Sequence, residues 1–172
     1  MNTTQIVILS AWLWTNMKYP GPLHAILVLF MTEFMSPSTT FAVSTGYFIY
    51  ELVHAIRSRK LDSIVHGFVC SVAYMFLLKH PEYNDVGTAY LRLELSTPLF
   101  HAWKIARRNR QNELFFLTLF RIAFAFIRVI YLGALTILVW SMPVHIFLKH
   151  LASSFYALNI AWYIGLNRIT VH

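Results

Sequence analysis

Seven apolar runs, parted by short polar or proline-marked breaks, leave this 172-residue chain little room for anything but membrane helices. The runs cover residues 5–14, 23–35, 40–56, 61–78, 86–105 and 113–140, and a last one follows Pro143 and ends near Leu166. The breaks are Lys18-Tyr19-Pro20-Gly21-Pro22, Ser36-Pro37-Ser38, Arg57-Ser58-Arg59-Lys60, the polar turn 79–85, the arginines 107, 108 and 110, and Ser141-Met142-Pro143. Proline and glycine punctuate helices, and polar clusters mark loops. In hydrocarbon every backbone N–H and C=O must be paired within the protein, so only helices or closed barrels cross. These runs are too long and continuous for barrel strands.

The expected fold is therefore all-α, a multi-pass transmembrane bundle of six to seven helices. A crossing needs roughly 20 apolar residues. The first two runs are short by that measure, which fits either a locally thinned bilayer or a shortened version of a longer chain. The expected organisation is a short N-terminal apolar segment, 1–19, read as an incomplete first helix. A membrane domain over 20–167 and a short tail over 168–172 follow.

Composition agrees: 58% of residues are hydrophobic and 12% charged, where a soluble domain carries about a quarter charged. The net charge of +7 would suggest nucleic acid in a soluble protein. Here nine of the fourteen basic residues (Lys18, Arg57, Arg59, Lys60, Lys104, Arg107, Arg108, Arg110 and Arg168) fall at alternate ends of successive runs. That pattern is a topology signal, and it puts those loops and the C-terminus in the cytosol. Nucleic acid is not an expected partner. The single cysteine, Cys70, excludes an intrachain disulfide. No basic n-region precedes the first run, so a cleaved signal peptide is not expected. If that run crosses, the Asn2-Thr3-Thr4 sequon faces the lumen. No HExxH, CxxC, HxxxH, GxGxxG, GxxxxGK or GxSxG spacing occurs. No metal site and no cofactor is expected.

Ionisable residues at membrane depth cost roughly 2.5 to 3.5 kcal/mol each on insertion scales and turn toward the bundle interior. The candidates are Glu33, Glu51, Arg92, Glu94, Arg121 and Arg128, with His24, His54, His66 and His101. Asp62 and His66 are four apart and share a helix face. A carboxylate beside an imidazole fixes its tautomer and suits proton transfer or nucleophilic attack. The alternative is an interfacial aspartate and a histidine paired inside the bundle. Arg121 and Arg128, seven apart, also share a face, with Glu94 and Glu51 as natural counter-charges. Glu51 and His54 are three apart and form either an interfacial pair or part of a site.

The stretch Tyr90-Leu91-Arg92-Leu93-Glu94-Leu95-Ser96-Thr97-Pro98-Leu99-Phe100-His101 reads as a kinked helix. Pro98 lacks an amide hydrogen and clashes with the carbonyl four residues earlier, that of Glu94. Ser96 and Thr97 can back-bond to nearby carbonyls and ease the bend. Glu94 and His101 fall on one face, with Arg92 nearly opposite.

The order of STGYFIYELVHAI, LDSIVHGFVCSVAYMF, YLRLELSTPLFHAWKIA and LNIAWYIGL resembles the TLC-domain (TRAM/Lag/CLN homology) family over residues 20–167. The likeness is to its small multi-pass members more than to its ceramide synthases. The resemblance implies a helical bundle around a lipid-accessible cavity. It matches Gly46-Tyr47-Phe48 and Glu51 to the family's GYF-x-x-D element, and His66 to the first histidine of its His-His pair. It matches Glu94, Ser96, Thr97 and Pro98 to the E-x-S-x-P element, and Asn159 and Trp162 to the final L-N-x-x-W element. The second histidine position holds Gly67, and no His-Asp-x-x-[SD]-[DE] stretch follows, since His80-Pro81-Glu82-Tyr83-Asn84-Asp85 stands there.

Three readings follow. The first is a lipid-handling protein of an internal membrane, endoplasmic reticulum or Golgi, that acts without catalysis. Glu51, His66, Glu94, Ser96, Pro98, His101, Arg121 and Arg128 would then line a polar pocket for an acyl lipid. The second is an acyl-CoA-dependent N-acyltransferase acting on a sphingoid base, with His66 as nucleophile or base and Asp62 orienting it. The third is a structural or chaperone-like membrane protein. The implied partners are membrane lipids, with acyl-CoA or a sphingolipid under the second reading. The oligomeric state is left open.

Overall fold

The first three helix starts carry local causes. The computed structural model describes residues 2–17 and 19–170, which are helical with no strand among them. The Asn2 side chain accepts the Gln5 amide (2.9 Å) while the Gln5 side chain accepts the Asn2 amide (3.0 Å). This reciprocal cap begins α1, Thr3–Thr15. Helices α2 (Pro20–Phe34) and α3 (Pro37–Arg57) begin on prolines, whose missing N–H costs nothing in a first turn. Then come α4 (Leu61–Lys79), α5 (Asn84–Leu91), α6 (Thr97–Asn109), α7 (Glu113–Phe124), α8 (Leu132–Ser141) and α9 (Ile146–Asn167).

All seven expected runs are present as helix, two of them with irregular interiors. The fifth is broken. A 3-10 segment, Arg92–Ser96, separates α5 from α6, and Pro98 sits in the first turn of α6. The sixth is continuous from Glu113 to Ser141 but passes through a π-helical segment, Ala125–Tyr131. Lys18, expected to mark a cytosolic loop, and Val171 and His172 of the expected tail lie outside the described residues.

Leu61–Lys79 and Glu113–Ser141 are each long and apolar enough to cross a bilayer unaided. Their outward residues, Val65, Phe68 and Met75 on the first and Ile122, Phe126, Ile130 and Ile137 on the second, are exposed. Water would reject such stripes and lipid accepts them, so this is a membrane protein. At 1.5 Å per residue α1 and α2 reach only about 20 and 22 Å, short of the roughly 30 Å hydrocarbon core.

The chain forms two compact units, Met1–Arg92 and Leu93–His172. In the first, α3 is central and α1, α2, α4 and α5 pack on it. Helices α1 and α3 approach closely at Gly46, where a Cβ would stand 2.7 Å from Ser10 Cβ and 2.8 Å from the Ala11 nitrogen. The Ser10 hydroxyl donates to the Val43 carbonyl (2.8 Å) and accepts from the Trp14 indole (3.0 Å), tying the helices at that point. Gly46→Ala forces the backbones apart. It should lower stability by about 1–3 kcal/mol, read as an earlier unfolding midpoint in detergent micelles.

In the second unit α6, α7, α8, α9 and the π segment pack together. Trp103, Leu117, Phe120, Phe124 and Leu166 form its buried apolar cluster.

Two basic turns share one construction. After α3, Arg59 adopts φ 53°, with the Lys60 amide on the Ala55 carbonyl and the Arg59 amide on the Ile56 carbonyl. After α6, Arg110 adopts φ 54°, with the Gln111 amide on the Ala106 carbonyl and the Arg110 amide on the Arg107 carbonyl. Both are Schellman turns with arginine where glycine is usual. A cation there also meets the negative end of the helix dipole.

Candidate functional site

Each compact unit holds its own buried polar cluster. The first joins α3 and α4. His66 is buried, and its Nδ1 lies 3.0 Å from Glu51 Oε2. A carboxylate accepts hydrogen bonds, so with Glu51 ionised the ring donates this one from Nδ1. The Glu51 side chain keeps 26% of its surface exposed. The carboxylate expected to orient His66 was Asp62. Asp62 is exposed in the first turn of α4, where a negative charge complements the helix N-terminus. Glu51, from the neighbouring helix, holds the ring instead.

Aromatic rings wall this pair. Phe48 meets His66 edge-on (5.5 Å between centroids) and stacks on Tyr74 (5.6 Å). His24 is fully buried against Trp14, Tyr47 and Phe48. It belongs to the packing between α1, α2 and α3. His54 is exposed and stacks on Tyr50 (6.0 Å), so it does not join Glu51 in a site. Glu33 and Arg92 face each other at 3.7 Å with most of their side-chain surface exposed.

Gly67 explains the missing second histidine. A Cβ at position 67 would stand 3.0 Å from the Leu52 nitrogen and 3.1 Å from its Cα. The α3 and α4 backbones touch there, and no imidazole fits between them. The same contact sets Glu51 and His66 within reach, because each is the chain neighbour of one of the touching residues.

The second cluster lies in the other unit around Arg128, which is 6% exposed. Its Nε donates to Ser96 Oγ (2.8 Å), Nη1 to Asn159 Oδ1 (3.4 Å) and Nη2 to Thr97 Oγ1 (3.2 Å). Glu94 Oε1 stands 3.7 Å from Nη2, and Glu94 Oε2 accepts the Thr97 hydroxyl at 2.7 Å. Asn159 Nδ2 donates to the Phe155 carbonyl, which fixes the amide with its oxygen toward Arg128. Ser96 back-bonds to the Leu93 carbonyl (3.1 Å) as expected, whereas Thr97 turns to the Glu94 carboxylate. The network pairs one cation with one anion, and the guanidinium finds acceptors on each nitrogen.

Arg121 takes neither expected carboxylate. Its Nε and Nη2 donate to the Leu166 carbonyl (3.3 and 3.0 Å), and Nη2 also donates to the Ile169 carbonyl. It binds carbonyls at and just past the C-terminal end of α9, the Leu166 carbonyl also accepting the Ile169 amide. The π segment, Ala125–Tyr131, begins after Arg121 and contains Arg128; its wider turn shifts the two off the expected shared face. His101 is half-buried against Phe100 (5.4 Å), and Pro98 is half-buried in the first turn of α6.

The eight expected pocket residues are thus distributed: Glu51 and His66 in the first unit, Glu94, Ser96, Pro98, His101, Arg121 and Arg128 in the second. Thr97 and Asn159 belong to the Arg128 network although sequence reasoning did not place them in the pocket. Their presence in the two quoted motifs was the available signal. Cys70 is buried one turn beyond His66 on α4. Among the described residues no group of three histidine, cysteine or acidic side chains could hold a metal ion.

A sequence model of the TLC domain matches residues 2–170. No curated protein and no solved structure matches the chain.

Proposed function

The chain belongs to the TLC-domain family, and from that premise we propose that it binds acyl lipids in an internal membrane and alters membrane lipid composition without catalysis. Family membership makes it a membrane protein of lipid metabolism or lipid sensing. The observation that carries the finer reading is the Glu51–His66 pair, an ionisable couple buried among apolar helices with one carboxylate edge still exposed. Ionisable groups at this depth are expensive and mark ligand positions. A polar patch beside apolar surface suits an amphiphile, whose head group is hydrogen-bonded while its tail is buried. The Arg128 cluster is buried and pairs its cation with Glu94, which suits a role as glue between helices.

The test is native mass spectrometry of protein purified in mild detergent, together with lipid profiles of cells lacking it. Wild type should carry lipid. Glu51→Gln and His66→Ala should each lower retention about tenfold, the equivalent of roughly 1.4 kcal/mol. Protein free of lipid, with cellular profiles unchanged, rules the reading out.

The contact at His66 Nδ1 also favours a second reading, an acyl-CoA-dependent N-acyltransferase. A ring held at Nδ1 presents a basic Nε2, as a general base requires. Turnover of acyl-CoA with a sphingoid base, compared between wild type and His66→Ala, decides it: equal rates remove the idea. Under either reading we place the protein in the endoplasmic reticulum or Golgi. The basic turns at Arg57–Lys60 and Arg107–Arg110 would then face the cytosol.

A further inference from the structure

We propose that the turn between α6 and α7 docks an anionic phospholipid, with Arg108 and Arg110 on its phosphate and an acyl chain along the exposed face of α7. The site lies in the second unit and needs nothing from the Glu51–His66 pair. Residues 104–113 carry four cations, Lys104, Arg107, Arg108 and Arg110, against one carboxylate, Glu113. That carboxylate is already engaged, with Arg107 Nε 3.6 Å from its Oε1. Lys104 Nζ lies over the Phe100 ring, 4.2 Å from its centroid. Arg108 and Arg110 are exposed, and among the described residues neither side chain has a hydrogen bond, ion pair or ring contact.

The backbone points the same way. Arg110 holds φ 54°, a region glycine enters freely and a residue with a Cβ enters at a cost. Its side chain recovers nothing inside the protein. An external anion restores the balance, and the planar guanidinium fork matches a phosphate with two parallel hydrogen bonds. Apolar surface begins where the charge ends. Leu114, Phe115 and Ile122 are exposed on successive turns of α7. Lipid covers that stripe in any bilayer, and the arginines decide which lipid. With this turn in the cytosol, the leaflet it meets is the one that carries anionic lipids.

The basic turn after α3 lacks one of these conditions. Arg57, Arg59 and Lys60 are followed by Asp62, which is exposed and, among the described residues, in no ion pair. An unpaired carboxylate there repels a phosphate. At the α6–α7 turn Arg107 has removed that repulsion.

Full-length protein in mixed micelles of equimolar phosphatidylglycerol and phosphatidylcholine, with matched chains, is examined by native mass spectrometry. The readout is the ratio of the two lipids retained, so it is separate from the amount of lipid that tests the Glu51–His66 pair. Wild type should favour phosphatidylglycerol about tenfold, the scale of two cations beside an anionic head group. Arg108→Gln/Arg110→Gln should bring the ratio to parity. Arg59→Gln/Lys60→Gln removes the same charge at the other turn and should leave the ratio as it is. Arg110→Gly separates binding from folding. Glycine suits φ 54°, so the unfolding midpoint should hold or rise while the ratio falls about threefold.

Equal retention of the two lipids by wild type overturns the assignment. So does a ratio that falls as far in Arg59→Gln/Lys60→Gln, which would mean diffuse charge and no site. A further arm adds inorganic phosphate. Phosphate adducts on wild type, without preference between the lipids, would give the arginines to a soluble anion instead.

Discussion

Arg128→Met should lower the stability of this protein by about 3–5 kcal/mol, because it strands the partners of a buried charge. Ser96, Thr97 and Asn159 each lose a donor, and Glu94, 12% exposed at the side chain, loses its counter-charge. Methionine matches arginine roughly in length, so the effect reads electrostatics and hydrogen bonding more than volume. Glu94→Gln alone should do less damage, because the amide still offers an acceptor to Thr97. The Glu94→Gln/Arg128→Met double variant should recover part of the loss. The recovered fraction is the coupling energy of the pair. Unfolding midpoints in mixed micelles, measured for the two single variants and the double, check this. A double variant as unstable as the sum of the singles would mean that Arg128 acts through Ser96, Thr97 and Asn159 alone.

Gly67→His supplies the second histidine that the family motif carries, and it should nevertheless disable this chain. The α3 and α4 backbones touch at Gly67 and Leu52. An imidazole there must push the helices apart by more than a methyl group would, and overpacking of a tight contact costs about 1–3 kcal/mol or more. The same displacement lengthens the 3.0 Å contact between Glu51 and His66. Stability and lipid retention should therefore fall together. Gly67→Ala, with its smaller protrusion, should show both effects to a lesser degree. Thermal unfolding followed in parallel with lipid content by native mass spectrometry makes the comparison. A Gly67→His protein as stable as wild type, with lipid retained, would show that the helices separate at no cost.

The helices were legible because the signal for them is local. A run of apolar residues ended by Pro20-Gly21-Pro22 or by Ser36-Pro37-Ser38 has one way to satisfy its backbone in lipid, and each expected run is helical. The break in the fifth run was legible for the same reason, since Pro98 removes a bond wherever it is placed. Other features carried no local mark. The π segment at Ala125–Tyr131 contains neither proline nor glycine, so nothing in its residues announces the wider turn. Arg59 and Arg110 take left-handed φ where a reader looks for glycine.

Partners were harder to read than elements. Spacing identifies neighbours on one helix, so it pointed His66 to Asp62, four residues away. The contact that forms is with Glu51, fifteen residues away on the facing helix. Arg121 was assigned a carboxylate by charge, and it found the carbonyl end of α9 forty-five residues away. Charge offered Glu94 and Glu51 jointly to the two arginines; Glu94 stands 3.7 Å from Arg128, whereas Glu51 holds His66.

By itself, the sequence determined that this chain is a helical membrane protein of the TLC-domain family, with its helix breaks, its buried ionisable residues and its arginine-rich turns. Those properties follow from backbone pairing in hydrocarbon and from the cost of burying charge, which act residue by residue. Tertiary structure alone decided which carboxylate holds His66, why position 67 must be glycine, and which acceptors surround Arg128. Those outcomes depend on how one helix is rotated and shifted against the next. A displacement of a single residue along α3 or α4 would change each of them while leaving every apolar run intact.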